Sequence, residues 1–171
     1  MYFDKEKDFE EAVIKALIDC GWESTVLRNP TEKQLIQNWA DILFNNNRQK
    51  VRLNECPLTE SEMQQILEQV NLLQSPYKLN GFINGKSVSI KRDNPDDTTN
   101  FGKEVSLKIY DRQEIAYGES RYQIVQQPHF STKSPILNNR RGDLMLLING
   151  MPVIHIELKK AVYPLAKHIT K

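Results

Sequence analysis

An α+β domain is what this chain predicts, on three observations: helical periodicity over residues 1–75, strand-like alternation over 80–160, and two apolar runs folded back on each other between 143 and 159. Helices gathered ahead of strands, rather than alternating with them, point to a mixed sheet flanked by helices with a helical part at the N-terminus. At 171 residues and 39% hydrophobic composition, the chain has the size of one domain with a real core.

Residues 4–20 read as a helix, because Phe9, Val13, Ala16, Leu17 and Cys20 recur at helical spacing and Gly21 stops the run. Pro30-Thr31-Glu32-Lys33-Gln34 opens a second helix. Thr31 and Gln34 stand in capping-box positions, and Leu35, Ile36, Trp39 and Leu43 form its apolar stripe. Asn45-Asn46-Asn47 breaks it. Thr59 with Glu62 caps a third helix, carried by Met63, Ile66, Leu67 and Val70.

The second half changes period. Phe82-Ile83, then Asn84-Gly85, then Ser87 to Ile90 signals a hairpin, since Asn-Gly supplies the positive φ values of a type I′ turn. The spacing of Gly81 and Gly85 is one residue short of a phosphate-binding loop, and a strand rather than a helix follows. Asp93 to Asn100 is a polar loop. Val105 to Ile109 alternates as a half-buried strand, and Tyr122 to Val125 is another. Leu144 to Ile148 runs apolar, turns at Asn149-Gly150-Met151-Pro152, and returns through Val153 to Ile156.

Composition excludes several classes. No apolar run approaches the length of a membrane span, and Met1 to Asp8 lacks a signal-peptide core. Cys20 and Cys56 are too few for a disulfide framework; they read as small buried or half-buried residues of a reducing cytoplasm. Net charge is only +1, but residues 1–30 carry four Lys/Arg against seven Asp/Glu, and residues 130–171 carry seven against two. A basic neighbourhood around two acids suits a site that meets a polyanion, and a plain solvated face has the same composition.

The two acids in that basic stretch are Asp143 and Glu157. Side chains alternate along a strand, so Glu157, Lys159, His155 and Val153 share a face. If the apolar runs pair about the turn, Asp143 falls opposite Ile156 to Leu158, at the hairpin's open end. Two carboxylates and a nearby carbonyl make a hard oxygen site of the kind Mg²⁺ accepts while keeping several waters. A lysine two residues along can hold or polarise an attacking water, which is equipment for phosphodiester hydrolysis. On these residues alone, neighbouring charges on a wet strand face are the other reading, and His155 reads as a packing or hydrogen-bonding residue. Arg141-Gly142-Asp143 as an adhesion string has no use in a chain without signs of secretion.

The chain resembles, over essentially its whole length, the N-terminal domain of the restriction (R) subunit of type I restriction-modification enzymes, a nuclease of the PD-(D/E)xK superfamily. Phe9-Glu10-Glu11 with Gly21-Trp22, Asn38 to Leu43, Pro57 to Glu62, Val88 to Asp93 and Gly118 to Val125 carry the likeness. Arg141-Gly142-Asp143 through Lys159, with the Asn149-Gly150-x-Pro152 turn, carries it most specifically. The resemblance implies a restriction-endonuclease-like core. It makes Asp143 and Glu157 Mg²⁺ ligands, the main-chain carbonyl of Leu158 a further ligand, and Lys159 the catalytic lysine. It adds a first-helix glutamate, for which Glu10 is the match; on register, Glu10 points to the packed side, where an interhelical salt bridge is the alternative, and Glu11 to the wetter side. Gly142 stands where the superfamily name has Pro, a variable position.

The expected activity is Mg²⁺-dependent cleavage of double-stranded DNA without sequence reading of its own, with Arg140, Arg141 and Lys160 as phosphate contacts. Specificity and methyltransferase subunits are the implied partners, and ATP would act only through motor domains that are absent here. Residues 161–171 depart from the family's Gln-x-x-x-Tyr helix. A one-nucleotide deletion after Lys159-Lys160 would convert a family-like run into this tail, so it is expected to be an out-of-frame remnant. Two rivals remain: a non-catalytic module that binds DNA or partner subunits, and a repair-type nuclease that prefers ends or flaps.

Overall fold

The computed structural model describes residues 6–73, 75, 78, 87–110, 120–131 and 139–159. Among them run three helices, α1 (Glu6–Asp19), α2 (Glu32–Asn46) and α3 (Glu60–Asn71). The strands are β1 (Leu27–Arg28), β2 (Ser87–Lys91), β3 (Glu104–Lys108), β4 (Tyr122–Gln126), β5 (His129–Ser131), β6 (Asn139–Arg141), β7 (Leu144–Ile148) and β8 (Met151–Ile156). The α+β class is therefore as expected. A mixed four-stranded sheet runs β1-β4-β7-β8, and β2-β3 and β5-β6 form two-stranded sheets.

Local chemistry sets the helix ends. Thr31 accepts from the Gln34 N–H while Gln34 reaches back to the Thr31 N–H, and Thr59 with Glu62 does the same for α3. These reciprocal bonds satisfy amides that the first helical turn leaves without partners. Gly21, at φ 100, ends α1 in a conformation that costs glycine little.

Three apolar clusters join the elements. Ile14 of α1 packs with Ile124, Leu144, Leu146 and Leu158 on one face of the main sheet. Leu35 of α2 packs with Val125, Met145 and Leu147 on the other. The opposite side of α2, with Trp39, Ala40 and Leu43, meets Met63 and Ile66 of α3 and the inner faces of β2 and β3. Helix α2 is thus shared by two cores. Strand β4, covered on both faces, is apolar at Ile124 and Val125 in succession rather than alternating.

Several expectations change. The turn between β7 and β8 is the two residues Asn149 (φ 50) and Gly150 (φ 82), so Met151 and Pro152 belong to the strand. Two positive φ values in succession are the type I′ geometry that matches strand twist. A register shift at Leu146/Leu147 inserts one extra residue in β8. It sends Val153 into the α1 cluster, away from the face it was expected to share with Glu157. Cys20 is exposed, because it lies in the turn after α1 and not on the packed stripe; Cys56 is half-buried. Strand Ser87–Lys91 pairs with β3, while the hairpin expected about Asn84-Gly85 falls outside the described residues, as does the tail 161–171.

Candidate active site at one end of the main sheet

The strand pairings draw a row across the main sheet. Arg28 lies beside Gln126, Gln126 beside Leu144, and Leu144 beside Ile156. Because β1 and β4 are parallel and β7 and β8 alternate with them, this row is the end of every strand. One residue further along each chain, at the same end of the sheet, come Gln127, Asp143 and Glu157. Residues 14 to 30 positions apart in sequence meet there because a sheet edge collects chain ends.

Hydrogen bonds fix that last row. The Gln127 N–H donates to the Asp143 carbonyl at 2.7 Å. The Asp143 carboxylate accepts at 2.6 Å from the Leu158 N–H. Leu158 is buried in the α1 cluster, so Glu157 and Lys159 on either side of it are both exposed. Burying that leucine is worth about 1.5–3 kcal/mol and anchors a segment that has already left the sheet. The D…ExK pattern is therefore brought together: Asp143 meets the ExK segment through its central residue, and the glutamate and lysine face water.

Helix α1 closes the site from one face. Glu10 is only 4% exposed. Its Oε2 accepts from Gln127 Nε2 at 3.0 Å, and its Oε1 is buried without a hydrogen-bond partner. No interhelical salt bridge satisfies it among the described residues, so of the two readings of an inward Glu10, the salt bridge is not seen. Glu11, on the wetter side as expected, pairs with Arg28 at 2.8 Å and accepts from Gln126 at 3.2 Å. The Arg28 guanidinium, followed by the Gln126 amide, holds the Glu11 carboxyl below the usual glutamate range.

Glu157 Oε1 lies 3.2 Å from His155 Nε2, with the two side chains about half exposed. His155 is thus a polar partner at the surface and not a packed residue. Arg141 is exposed on β6, the strand that leads directly into Asp143. Arg140 precedes it on the same strand; its side chain and the whole of Lys160 lie outside the described residues. Reading the sequence missed Arg28, Gln126 and Gln127. Their one signal was Gln126-Gln127-Pro128 itself, a polar pair closing an otherwise apolar strand.

Asp143, Glu157, Glu10 and the Leu158 carbonyl are all hard oxygen donors, and the unpartnered Oε1 of Glu10 is a buried acceptor that a cation or its water would satisfy. Among the described residues no three His, Cys, Asp or Glu side chains converge to hold a metal between them. The donor set accordingly fits an ion that keeps waters, as Mg²⁺ does, and does not fit a closed all-protein cage. A cavity of about 720 Å³ lies elsewhere, between α2, α3 and β5, lined by Ile36, Ala40, Met63 and Phe130 among others.

Asp143, Glu157 and Lys159 thus lie at one end of a mixed sheet, with Glu10 of α1 behind them, and comparison with known proteins shows the family. The chain matches the family described as type I restriction enzyme R protein N terminus over residues 4–169, and it belongs to that family. It is 30% identical over 163 residues to the type I restriction enzyme SsaAORF53P endonuclease subunit of Staphylococcus saprophyticus, covering 94% of this chain and 15% of that one. It is 27% identical over 164 residues to the SauMSSORF170P endonuclease subunit of Staphylococcus aureus, with the same coverage. The chain thus spans about 15% of the length of the curated relatives it matches. The match to residue 169 takes in most of the segment 161–171. No helix among the described residues is long and apolar enough to cross a membrane.

Proposed function

We propose that this chain is a Mg²⁺-dependent endonuclease domain that cleaves double-stranded DNA without reading its sequence, on a restriction-endonuclease-like core. The observation that carries the reading is the 2.6 Å bond between Asp143 and the Leu158 N–H, which holds the aspartate against the ExK segment. Asp143 and Glu157 would hold the metal with the Leu158 carbonyl, and Glu10 would support it from α1. Bound there, Mg²⁺ supplies charge neutralisation at the scissile phosphate and acidifies the attacking water. Lys159, exposed beside Glu157, is placed to orient that water and to meet developing negative charge. Arg141, with Arg140 and Lys160, supplies phosphate contacts whose strength falls as salt rises. In a full-length cytoplasmic R subunit the partners would be the specificity and methyltransferase subunits, and ATP would serve the motor.

Calorimetric titration of Mg²⁺ and Mn²⁺, followed by nicking of covalently closed duplex, tests the reading. Saturable binding and nicking that both vanish in Asp143→Ala support it; nicking that persists in that variant would overturn it. One observation favours a second reading, a catalytically impaired module that binds DNA or partner subunits: Glu157 is engaged with His155 instead of standing free beside Asp143. DNA binding without any metal binding would put that reading first.

A further inference from the structure

We propose that Gln127 is the positioning residue of this site, holding Glu10 and Asp143 in one frame for a shared divalent cation. The inference rests on the metal-dependent reading above and names how its two buried-side groups are aligned. Gln127 sits one residue past β4 with φ 53, in the left-handed region, directly before Pro128. Glycine or asparagine is the ordinary occupant of that conformation, and a residue ahead of proline is normally extended. Backbone convenience therefore does not explain a glutamine.

Reach does. From this one position the main-chain N–H donates to the Asp143 carbonyl at 2.7 Å and the side-chain Nε2 donates to Glu10 Oε2 at 3.0 Å. Helix α1 and strand β7 are thereby tied to the same residue. The neighbouring glutamate makes the contrast. Glu11 is hydrogen-bonded to a cation, Arg28, which reaches Glu10 only through its field; among the described residues the Glu10 carboxylate is hydrogen-bonded by a neutral amide and keeps Oε1 buried and unpartnered. A neutral donor fixes a carboxylate's orientation without cancelling its charge, and so leaves that charge for a ligand. Groups that orient metal ligands by hydrogen bonds act in this way.

The test is calorimetric titration of Mn²⁺ into the chain and into Gln127→Gly, Gln127→Leu, Glu10→Gln and Asp143→Ala, with thermal melting of each without metal. Glycine suits φ 53, so Gln127→Gly is expected to melt close to the parent while binding Mn²⁺ about ten-fold or more weakly. Gln127→Leu keeps the bulk, loses the donor, and is expected to show the same loss. In the Glu10→Gln background neither change weakens binding further, because the residue it positions is already gone. Parent-like affinity in both single variants would overturn the proposal with the metal reading intact, as would losses that simply add to that of Glu10→Gln. A parent chain that binds no Mn²⁺ would overturn the metal reading and this inference together.

Discussion

The Asp143 carboxylate and the Leu158 main-chain N–H, 15 residues apart, are joined by a 2.6 Å hydrogen bond that closes the open end of the β7–β8 hairpin. This bond does two things at once. It stabilises the segment beyond β8, and because it uses Oδ2 it leaves Oδ1 of Asp143 for the proposed metal. The two roles separate by substitution. Asp143→Asn keeps an acceptor and loses the charge, so its unfolding free energy should fall by no more than about 1 kcal/mol. Its Mg²⁺ binding should nevertheless disappear. Asp143→Ala should lose the binding and a further ~1 kcal/mol, for a half-buried charge-assisted bond. Urea unfolding and calorimetry on the two variants check this; metal binding retained in Asp143→Asn would overturn the proposal that Asp143 is a ligand.

Which parts of this arrangement were legible depends on the distance over which they are determined. Both capping boxes could be read because Thr31 with Gln34, and Thr59 with Glu62, act within one turn. The Asp143, Glu157 and Lys159 set could be read because one hairpin brings it together. Strand β1 could not, since Leu27–Arg28 is too short to show a period. Nor could the contacts of Glu10 with Gln127 and of Glu11 with Gln126, which join residues 117 and 115 positions apart. The bulge that turns Val153 inward depends on pairing with β7, which local pattern does not encode.

A long-range polar core also escaped the sequence. Arg92 is 1% exposed, lies 2.6 Å from Glu62 and 3.0 Å from Asp97, and also donates to the carbonyls of Leu53 and Cys56. It ties α3, β2 and two loops together. Arg92→Met should destabilise the fold by about 3–5 kcal/mol, because two buried carboxylates lose their counter-charge. Adding Glu62→Gln and Asp97→Asn should recover part of that loss. Denaturant midpoints decide it: a change below about 1 kcal/mol in the single variant would mean that the cluster is solvated in solution.

The same region sets the acid limit of stability. Hydroxyl donors Ser61 and Thr59 hold the Asp93 carboxyl below its ordinary range. Burial pushes Asp97 up, but hydrogen bonds from Asn54, Arg92 and Asn100 outweigh it and leave the carboxyl lowered. A folded-state pKa below the unfolded one means the unfolded chain binds more protons on acidification. The stabilisation is therefore complete above the unfolded value of about 3.9 and is lost as pH falls through the lower folded values. Unfolding midpoints should not depend on these groups between pH 5 and 7 and should drop below about pH 4. In Asp93→Asn the drop should be shallower; an unchanged acid limb would show that Asp93 is not among its causes.

Gly150 is required twice over. Its φ of 82 disfavours any side chain, and a Cβ there would stand 2.9 Å from the Trp39 Cα, a backbone atom that cannot swing away. Gly150→Ala should cost at least about 2 kcal/mol, from the left-handed conformation and the overpacking together. Thermal melting reads the loss. Because Trp39 stands on α2, the strain should reach the core between α2 and the β2–β3 sheet, and amide exchange in Val88 and Leu107 should quicken.

His155 can be assigned by removing it. Its Nε2 is 3.2 Å from Glu157 Oε1 and would be 2.6 Å from a Cβ on Gly142, so it sits between the two ends of the D…ExK segment. If it only engages Glu157, as a half-exposed polar pair, the contact is worth no more than about 1 kcal/mol. His155→Ala then frees Glu157 for the metal, and Mn²⁺ binding should tighten by up to about five-fold, the same energy expressed as a ratio. Gly142→Ala, which displaces the ring without deleting it, should act in the same direction. Loss of Mn²⁺ binding in His155→Ala would instead make the imidazole a ligand, and the donor set at this end of the sheet would then be one nitrogen richer than the carboxylates alone.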